Sequence, residues 1–313
     1  MYVKIRILFL LIIPNALLGQ NYFDYYNGIN NAKILSGKNT IEKSLKNYYL
    51  TFEKFDFVFA RDCYNAIELS ATAKDLVKLE YFIKRGLKQG ITFNQILKIK
   101  NVTEFQSSIF FQKILKEKDS LEKVYKNSIN WKLRNEIIEM FEQDQKMRAK
   151  YYNAFLFKRR KIGREWESLN KQQVERLVEI TKKYGFPGEK LIGIDTNEMH
   201  SKINNSNFSA GMPIIIFIHH YSQPNKSFSS LLLKEIKMGN IYNEHFATIS
   251  DFEAKFGKNK FDNYGYFAFK HFPKHVNKKE IDKKREKISL LTINQFKKIN
   301  KNTLITKFWK RLY

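Results

Sequence analysis

From about residue 24 to 160, apolar residues recur every three or four positions and no proline interrupts them. That period, without a breaker, predicts consecutive amphipathic helices. Within the run, Thr103–Lys116 gathers Phe105, Ile109, Phe110 and Ile114 on one side. Trp131–Tyr152 aligns Leu133, Ile137, Phe141 and Met147 into one stripe. The C-terminal half is punctuated more clearly. "QQVERLVEITKKYG" is an amphipathic helix with late lysines and a glycine stop at Gly185. "SFSSLLLKEIKMG" repeats that design, with Ser227 or Ser229 as cap and Gly239 as stop. "NEHFATISDFEAKFG" follows, with Asn243 as cap and Gly257 as stop. "FDNYGYFAF" reads as a loop or short extended piece, and "KKEIDKKREKISL" as a last charged helix.

The stretch "MPIIIFIHHYS", Met212 to Ser222, is ambiguous on pattern alone. Its β-branched residues suit a buried strand. A strand needs a pairing partner, however, and its neighbours read as helices. Pro213 also suits the first turn of a helix, where its missing N–H costs nothing. A short buried helix over Pro213–Tyr221 is therefore expected, with a buried strand as the alternative. The architecture as a whole is expected to be mainly all-α.

A faint repeat joins "KSLKNYYLTFEKFD", from Lys43, to "VKLEYFIKRGLKQG", from Val77. Leu45 matches Leu79, Tyr48 matches Phe82 and Tyr49 matches Ile83 at an offset of 34 residues. That period resembles the tetratricopeptide repeat, whose paired helices stack into a solenoid. The expected organisation is a leader over residues 1–20, a tetratricopeptide-like helical region over 21–130, a compact helical domain over 131–295 and a basic tail over 296–313.

Composition adds three constraints. Hydrophobic residues make up 43% and aromatics 15%, enough to fill a core rather than leave a disordered chain. The net charge is +25, but the lysines scatter along the chain and Arg, the better bidentate phosphate ligand, is the minority cation. A specific nucleic-acid site is not expected, and an electrostatic surface for anionic polymers stays as an alternative. Cys63 is the sole cysteine, so no internal disulfide can form, and its surroundings suit a small packing residue.

At the N-terminus, Lys4 and Arg6 precede the apolar run Ile7–Ile13, followed by Pro14 and "LLGQ" ending at Gln20. This reads as a secretory signal peptide, with a buried N-terminal element as the alternative. The apolar run is too short to span a bilayer. A periplasmic or secreted location is expected, with no transmembrane segment after cleavage.

Several elements then occur in order: "DQKMR" (Asp144 to Arg148), "VERLVEITKKYGFPGEKLIG" (Val174 to Gly193), the histidine pair, "FATISD" (Phe246 to Asp251), "NYG" (Asn263 to Gly265) and "IDKKREKISL". Over residues 130–295 this set resembles a bacterial domain family of unknown function. The resemblance implies a mainly helical domain, often exported and sometimes fused to helical repeats, and it implies no activity. This chain departs from the pattern in three places. Phe252 stands where the family has Arg, Asp262 where it has Gln, and Asn170 where it tends to have Asp.

All six histidines lie between His200 and His275, which is the main hint of chemistry. Catalytic candidates are Arg148, His219, His220, Asp251 and Tyr264. His219, His220 and His245 are weak candidates for a metal site, although adjacent helical histidines diverge by about 100° and rarely share an ion. Arg148 either pairs with Asp144 along the helix or clamps a carboxylate or phosphate. Asp251 could orient a histidine, cap a helix or face solvent. No H-E-x-x-H, G-x-S-x-G or phosphate-cradling glycine loop is present, and no cofactor is expected. The leading expectation is an envelope interaction protein that binds a protein partner through its N-terminal helices. An enzyme with a His/Asp/Arg site, such as a hydrolase, is the alternative.

Overall fold

The computed structural model describes residues 20–36, 40–99, 101–195, 210–220, 227–256, 265–266 and 277–301. Nearly all of the expected leader, most of the basic tail, Tyr264, His200, His271, His275 and Gly257 lie outside the described residues. Among the described residues there are fourteen α-helices, one 3-10 turn and no strand, an all-α architecture.

Four helices open the chain: α1 (Tyr22–Ser36), α2 (Ile41–Lys54), α3 (Ala60–Ala73) and α4 (Leu76–Lys88). α1 packs on α2 and α3 packs on α4 as two helical hairpins. Of the residues matched at the 34-residue offset, Tyr48 and Phe82 meet, with ring centres 6.5 Å apart, whereas Tyr49 meets Tyr81 at 4.8 Å. Asp75 starts α4 by accepting from the Lys78 N–H at 3.1 Å. α5 (Phe93–Leu97) is started by a reciprocal Thr92–Gln95 capping box.

The helix expected over Thr103–Lys116 is broken. Thr103–Phe105 forms the 3-10 turn, and α6 (Ile109–Ser128) starts afresh. Ser108 between them is extended, and its hydroxyl donates to the Phe105 carbonyl at 2.5 Å, a local bond that competes with the helical ladder.

α7 (Trp131–Asn153) and α8 (Leu156–Tyr184) make a long hairpin, and the "QQVERLVEITKKYG" stripe is only the second half of α8. α7 is capped by Asn130. No residue between Asp144 and Asn170 is buried. The distal parts of both helices therefore form an arm that leaves the body. On the α7 side alone nine residues at 1.5 Å each carry it about 13 Å.

After the short α9 (Glu189–Ile192), "MPIIIFIHH" forms α10 (Met212–His220), so the helical reading of that stretch holds. It packs on α7, α8 and α12 (Asn243–Phe256), which buries Ile214, Ile216 and Ile218 without any sheet among the described residues. α11 (Ser229–Lys237) is preceded by Phe228 at the cap position, and Ser227 accepts from the Ser229 N–H instead of capping. Asn243 is not a cap either: its amide donates to the Ile288 and Ser289 carbonyls, tying α12 to the chain between α13 (Lys278–Lys287) and α14 (Ile293–Asn300). Gly185 and Gly239 end α8 and α11 with φ of 89° and 70°, as a glycine stop requires.

One apolar cluster runs without a break from Tyr22 to Leu290, so the boundary near residue 130 is not a seam in the core. α3 lies at its centre, with every residue from Ala60 to Ala71 buried. α1 reaches the C-terminal helices directly: the Tyr26 hydroxyl donates to the Ile241 carbonyl at 2.9 Å, and the Asn30 amide to the Ser289 carbonyl at 2.7 Å. Cys63 is fully buried in this core, where burial raises its thiol pKa well above the usual value, as suits a packing residue.

Candidate functional site

The root of the α7–α8 arm carries a polar centre. Asp144 of α7 is fully buried, and four donors converge on its carboxylate. Oδ1 accepts from Trp166 Nε1 at 2.8 Å and Asn170 Nδ2 at 2.9 Å, two residues one turn apart on α8. Oδ2 accepts from Gln145 Nε2 at 3.0 Å and pairs with His219 Nδ1 of α10 at 2.7 Å. These fill the four lone-pair positions of a carboxylate. Burial works against the charged form, but the bonds and charge from His219, with those from Trp166 and Asn170, outweigh it. Asp144 is held below the usual carboxylate range.

A carboxylate can only accept, so Nδ1 of His219 carries the shared proton. Nε2 is therefore the ring nitrogen that Asp144 does not hold. The side chain of His219 is 17% exposed whereas that of Asp144 is sealed, and Trp166 meets the imidazole edge-on at 5.2 Å. A buried anion thus fixes the tautomer and orientation of a partly accessible imidazole.

The other expected site residues that are described, Arg148, Asp251, His220 and His245, do not join this pair. Arg148 is exposed on the arm, with its guanidinium 5.6 Å from the Tyr152 ring centre. Among the described residues it neither clamps a group in the domain nor pairs with Asp144, whose lone pairs are already occupied. Asp251 accepts from the Tyr266 N–H, and a Cβ at position 265 would stand 2.0 Å from its Oδ1, so only glycine fits there. Asp251 pins the Gly265–Tyr266 segment, and the described hydrogen bonds join Asp144, not Asp251, to His219. His220 points away from its neighbour, as adjacent helical residues must, and is buried 5.9 Å from the Phe228 ring. His245 is buried beside Tyr242, at 6.0 Å between rings. The three histidines weighed as metal ligands therefore have separate surroundings. Among the described residues no group of three or more His, Cys, Asp or Glu is placed to hold a metal ion.

A second polar cluster surrounds the start of α3. Asp62 accepts from the Tyr25 hydroxyl at 2.9 Å and lies 4.0 Å from the Lys33 ammonium, both side chains sealed from solvent. Lys33 also reaches the Tyr242 hydroxyl at 3.3 Å. Arg61 pairs with Glu244 at 3.1 Å and lies 4.7 Å over the Tyr242 ring. Glu189 accepts from the Ala60 N–H at 3.0 Å, placing a carboxyl on the first turn of α3 from 129 residues away. Burial dominates here. It lowers Lys33 to about 8, raises Asp62, lifts Glu189 to about 8, and with the nearby Arg61 lowers His245 to about 3.

Sequence reasoning missed Trp166 and the whole α3 cluster. The signal for Trp166 was available: it stands four residues before Asn170, a position already singled out. For Lys33, Asp62 and Tyr242 no local signal exists, since the contacts span up to 209 residues. Comparison of the chain with family models, with curated proteins and with solved structures finds no match.

Proposed function

We propose that the Asp144–His219 pair is a general acid–base centre and that the chain is a hydrolytic enzyme. His219 takes a proton from water or a substrate hydroxyl through Nε2, and Asp144 orients the ring and stabilises its charged form. One observation carries this reading: a sealed carboxylate with all acceptor positions filled holds a partly exposed imidazole at 2.7 Å. The resemblance noted in the sequence supports it, because the Asp of its Asp-Gln-x-x-Arg element and its mid-domain histidine match the two residues that meet, Asp144 and His219. The leader pattern would place this chemistry in the cell envelope or outside it.

The test is turnover by the purified chain on chromogenic esters, phosphodiesters and glycosides, repeated with His219→Gln. The expected loss is at least about 100-fold, the usual contribution of a positioned base. No turnover by the unaltered chain, or turnover untouched by the substitution, overturns the reading.

A second reading, an envelope protein that binds a protein partner through its N-terminal helices, is supported by exposed apolar residues on α2 and α4, Leu50 and Val77. Deleting residues 40–90 would not test it, because α2 to α4 belong to the shared core. Leu50→Asp with Val77→Asp keeps the core. Loss of a co-purifying partner in that variant is the expected result, and an unchanged complex removes the reading.

A further inference from the structure

The tip of the α7–α8 arm combines two properties that water-facing hairpins rarely share. Phe155, Leu156 and Phe157 are 87%, 79% and 96% exposed, and Tyr152 beside them is 60% exposed. Three consecutive large apolar side chains this bare gain nothing for a chain in water. Around them the charge has a single sign. "KMRAK" before the turn and "KRRKIGR" after it hold eight basic residues, and no Asp or Glu occurs between Gln145 and Arg164. Other acid-free runs exist, but residues 81–103 hold five basic residues and residues 287–313 hold seven, both over longer stretches. The next residue, Glu165, pairs with Lys161 at 4.0 Å.

The arm is built to present this tip. Tyr151 packs on Trp166 at 5.6 Å, and Gly163 gives it room, since a Cβ there would lie 3.2 Å from its ring. Arg159 donates to the Tyr152 carbonyl at 3.2 Å and so bridges the turn. The seam is held while Phe155–Phe157 point away from it. Among the described residues nothing in the body covers the tip, because burial begins only at Asp144 and Asn170.

We propose that this tip docks on an anionic membrane surface. Phe155, Leu156 and Phe157 enter the boundary between headgroups and acyl chains, and the flanking lysines and arginines contact lipid phosphates. A protruding apolar wedge ringed by cations matches that interface, which is apolar below and negative above. Insertion is shallow, as no helix among the described residues is long and apolar enough to cross a membrane. The proposal needs no turnover and stands apart from the acid–base reading.

The test is flotation of the full chain with vesicles of phosphatidylcholine, with and without phosphatidylglycerol. Binding is expected only with the anionic lipid, and it should weaken as salt rises, because screening shortens to a few ångströms. F155S/L156S/F157S should lower the partition coefficient at least about tenfold, and K158Q/R160Q/K161Q by a similar factor. These positions are solvent-facing, and unchanged circular dichroism checks the fold. Phe155→Trp adds a depth readout: its emission should shift to the blue and be quenched by bromine-labelled acyl chains. Binding that survives the serine substitutions overturns the proposal. So does retention on heparin without vesicle binding, which would indicate a polyanion site. Self-association that the serine variant abolishes, with no vesicle binding, would indicate a second copy of the chain and overturns it equally.

Discussion

The two polar centres of this molecule solve burial in opposite ways. At the arm root, one sealed carboxylate meets four donors, and its charged form is favoured despite burial. Around α3, two cations and three carboxyls share an apolar interior, and burial pushes Lys33, Asp62 and Glu189 toward neutrality. The first arrangement leaves one imidazole partly accessible. The second leaves Lys33 and Asp62 with almost no exposed surface. Perturbed titration alone would have ranked the α3 cluster as the functional site. Access and complete hydrogen bonding favour the arm root instead, and they mark the α3 cluster as a tie between the two ends of the chain.

That contrast breaks first if Asp62 proves dispensable. Asp62→Ala leaves Lys33 buried without its counter-charge, and removing one partner of a buried ion pair costs about 3–5 kcal/mol. Urea denaturation should show that loss, and Lys33→Met added to it should recover part, since an apolar isostere has no charge to desolvate. Equal stability of the single variant and the parent would mean the cluster is not a tie. At the arm root the effect is smaller. Asp144→Asn turns one acceptor into a donor facing His219 and Gln145, and an unsatisfied buried donor costs about 1–3 kcal/mol. The folded-state pKa of Asp144 is lowered, so its contribution is present above the unfolded value of 3.8 and is lost as pH falls through the lower folded one. The gap between parent and Asp144→Asn should close in strong acid; a gap that is constant with pH contradicts the geometry.

The α3 cluster should also set a slope on stability near neutral pH. Glu189 is raised from 4.5 to about 8, so the folded state holds a proton that the unfolded state has released. Stability from this group is full below 4.5 and is lost as pH rises through about 8. Asp195, raised from 3.8 to about 7, acts in the same direction but is spent earlier. His245, lowered to about 3, opposes them only below its unfolded value of 6.5. Between about pH 7 and 8 Glu189 therefore dominates, with a limiting slope of about 1.4 kcal/mol per unit per proton. Thermal melts across that window should show the fall, and Glu189→Gln, which keeps the acceptor for the Ala60 N–H, should flatten it. Above about 8 the sign reverses, because Lys33 is lowered from 10.5 and favours folding as pH rises.

How much of this could be read in advance follows from the range of each interaction. Helical periodicity is local, so α7, α10, α12 and the glycine stops of α8 and α11 were legible, and the glycine-and-proline punctuation resolved the isoleucine run of α10 in favour of a helix. The break at Ser108 was not legible, because a side-chain bond to a carbonyl three residues back leaves the apolar spacing unchanged. Asp144 was picked out with the wrong partner. Spacing of i to i+4 offers Arg148, whereas the fold brings in Trp166, Asn170 and His219 from two other helices. The polar residues of α3 gave no signal of their own, since periodicity says which residues share a face but not what faces them.

Arg148 gives the finest test of that distinction. If it were a clamp inside the domain, Arg148→Ala would strip a charge-assisted bond and disturb the site. Where it lies, exposed and stacked on Tyr152, it makes one cation–π contact worth about 0.5–1 kcal/mol at most. Arg148→Ala should therefore shift stability by no more than about 0.5–1 kcal/mol and leave His219 chemistry as it was. The His219 imidazole resonances are the direct check. They should stay in place in Arg148→Ala and move in Asp144→Asn. The reverse pattern would return the arginine to the site and displace the carboxylate that the fold puts there.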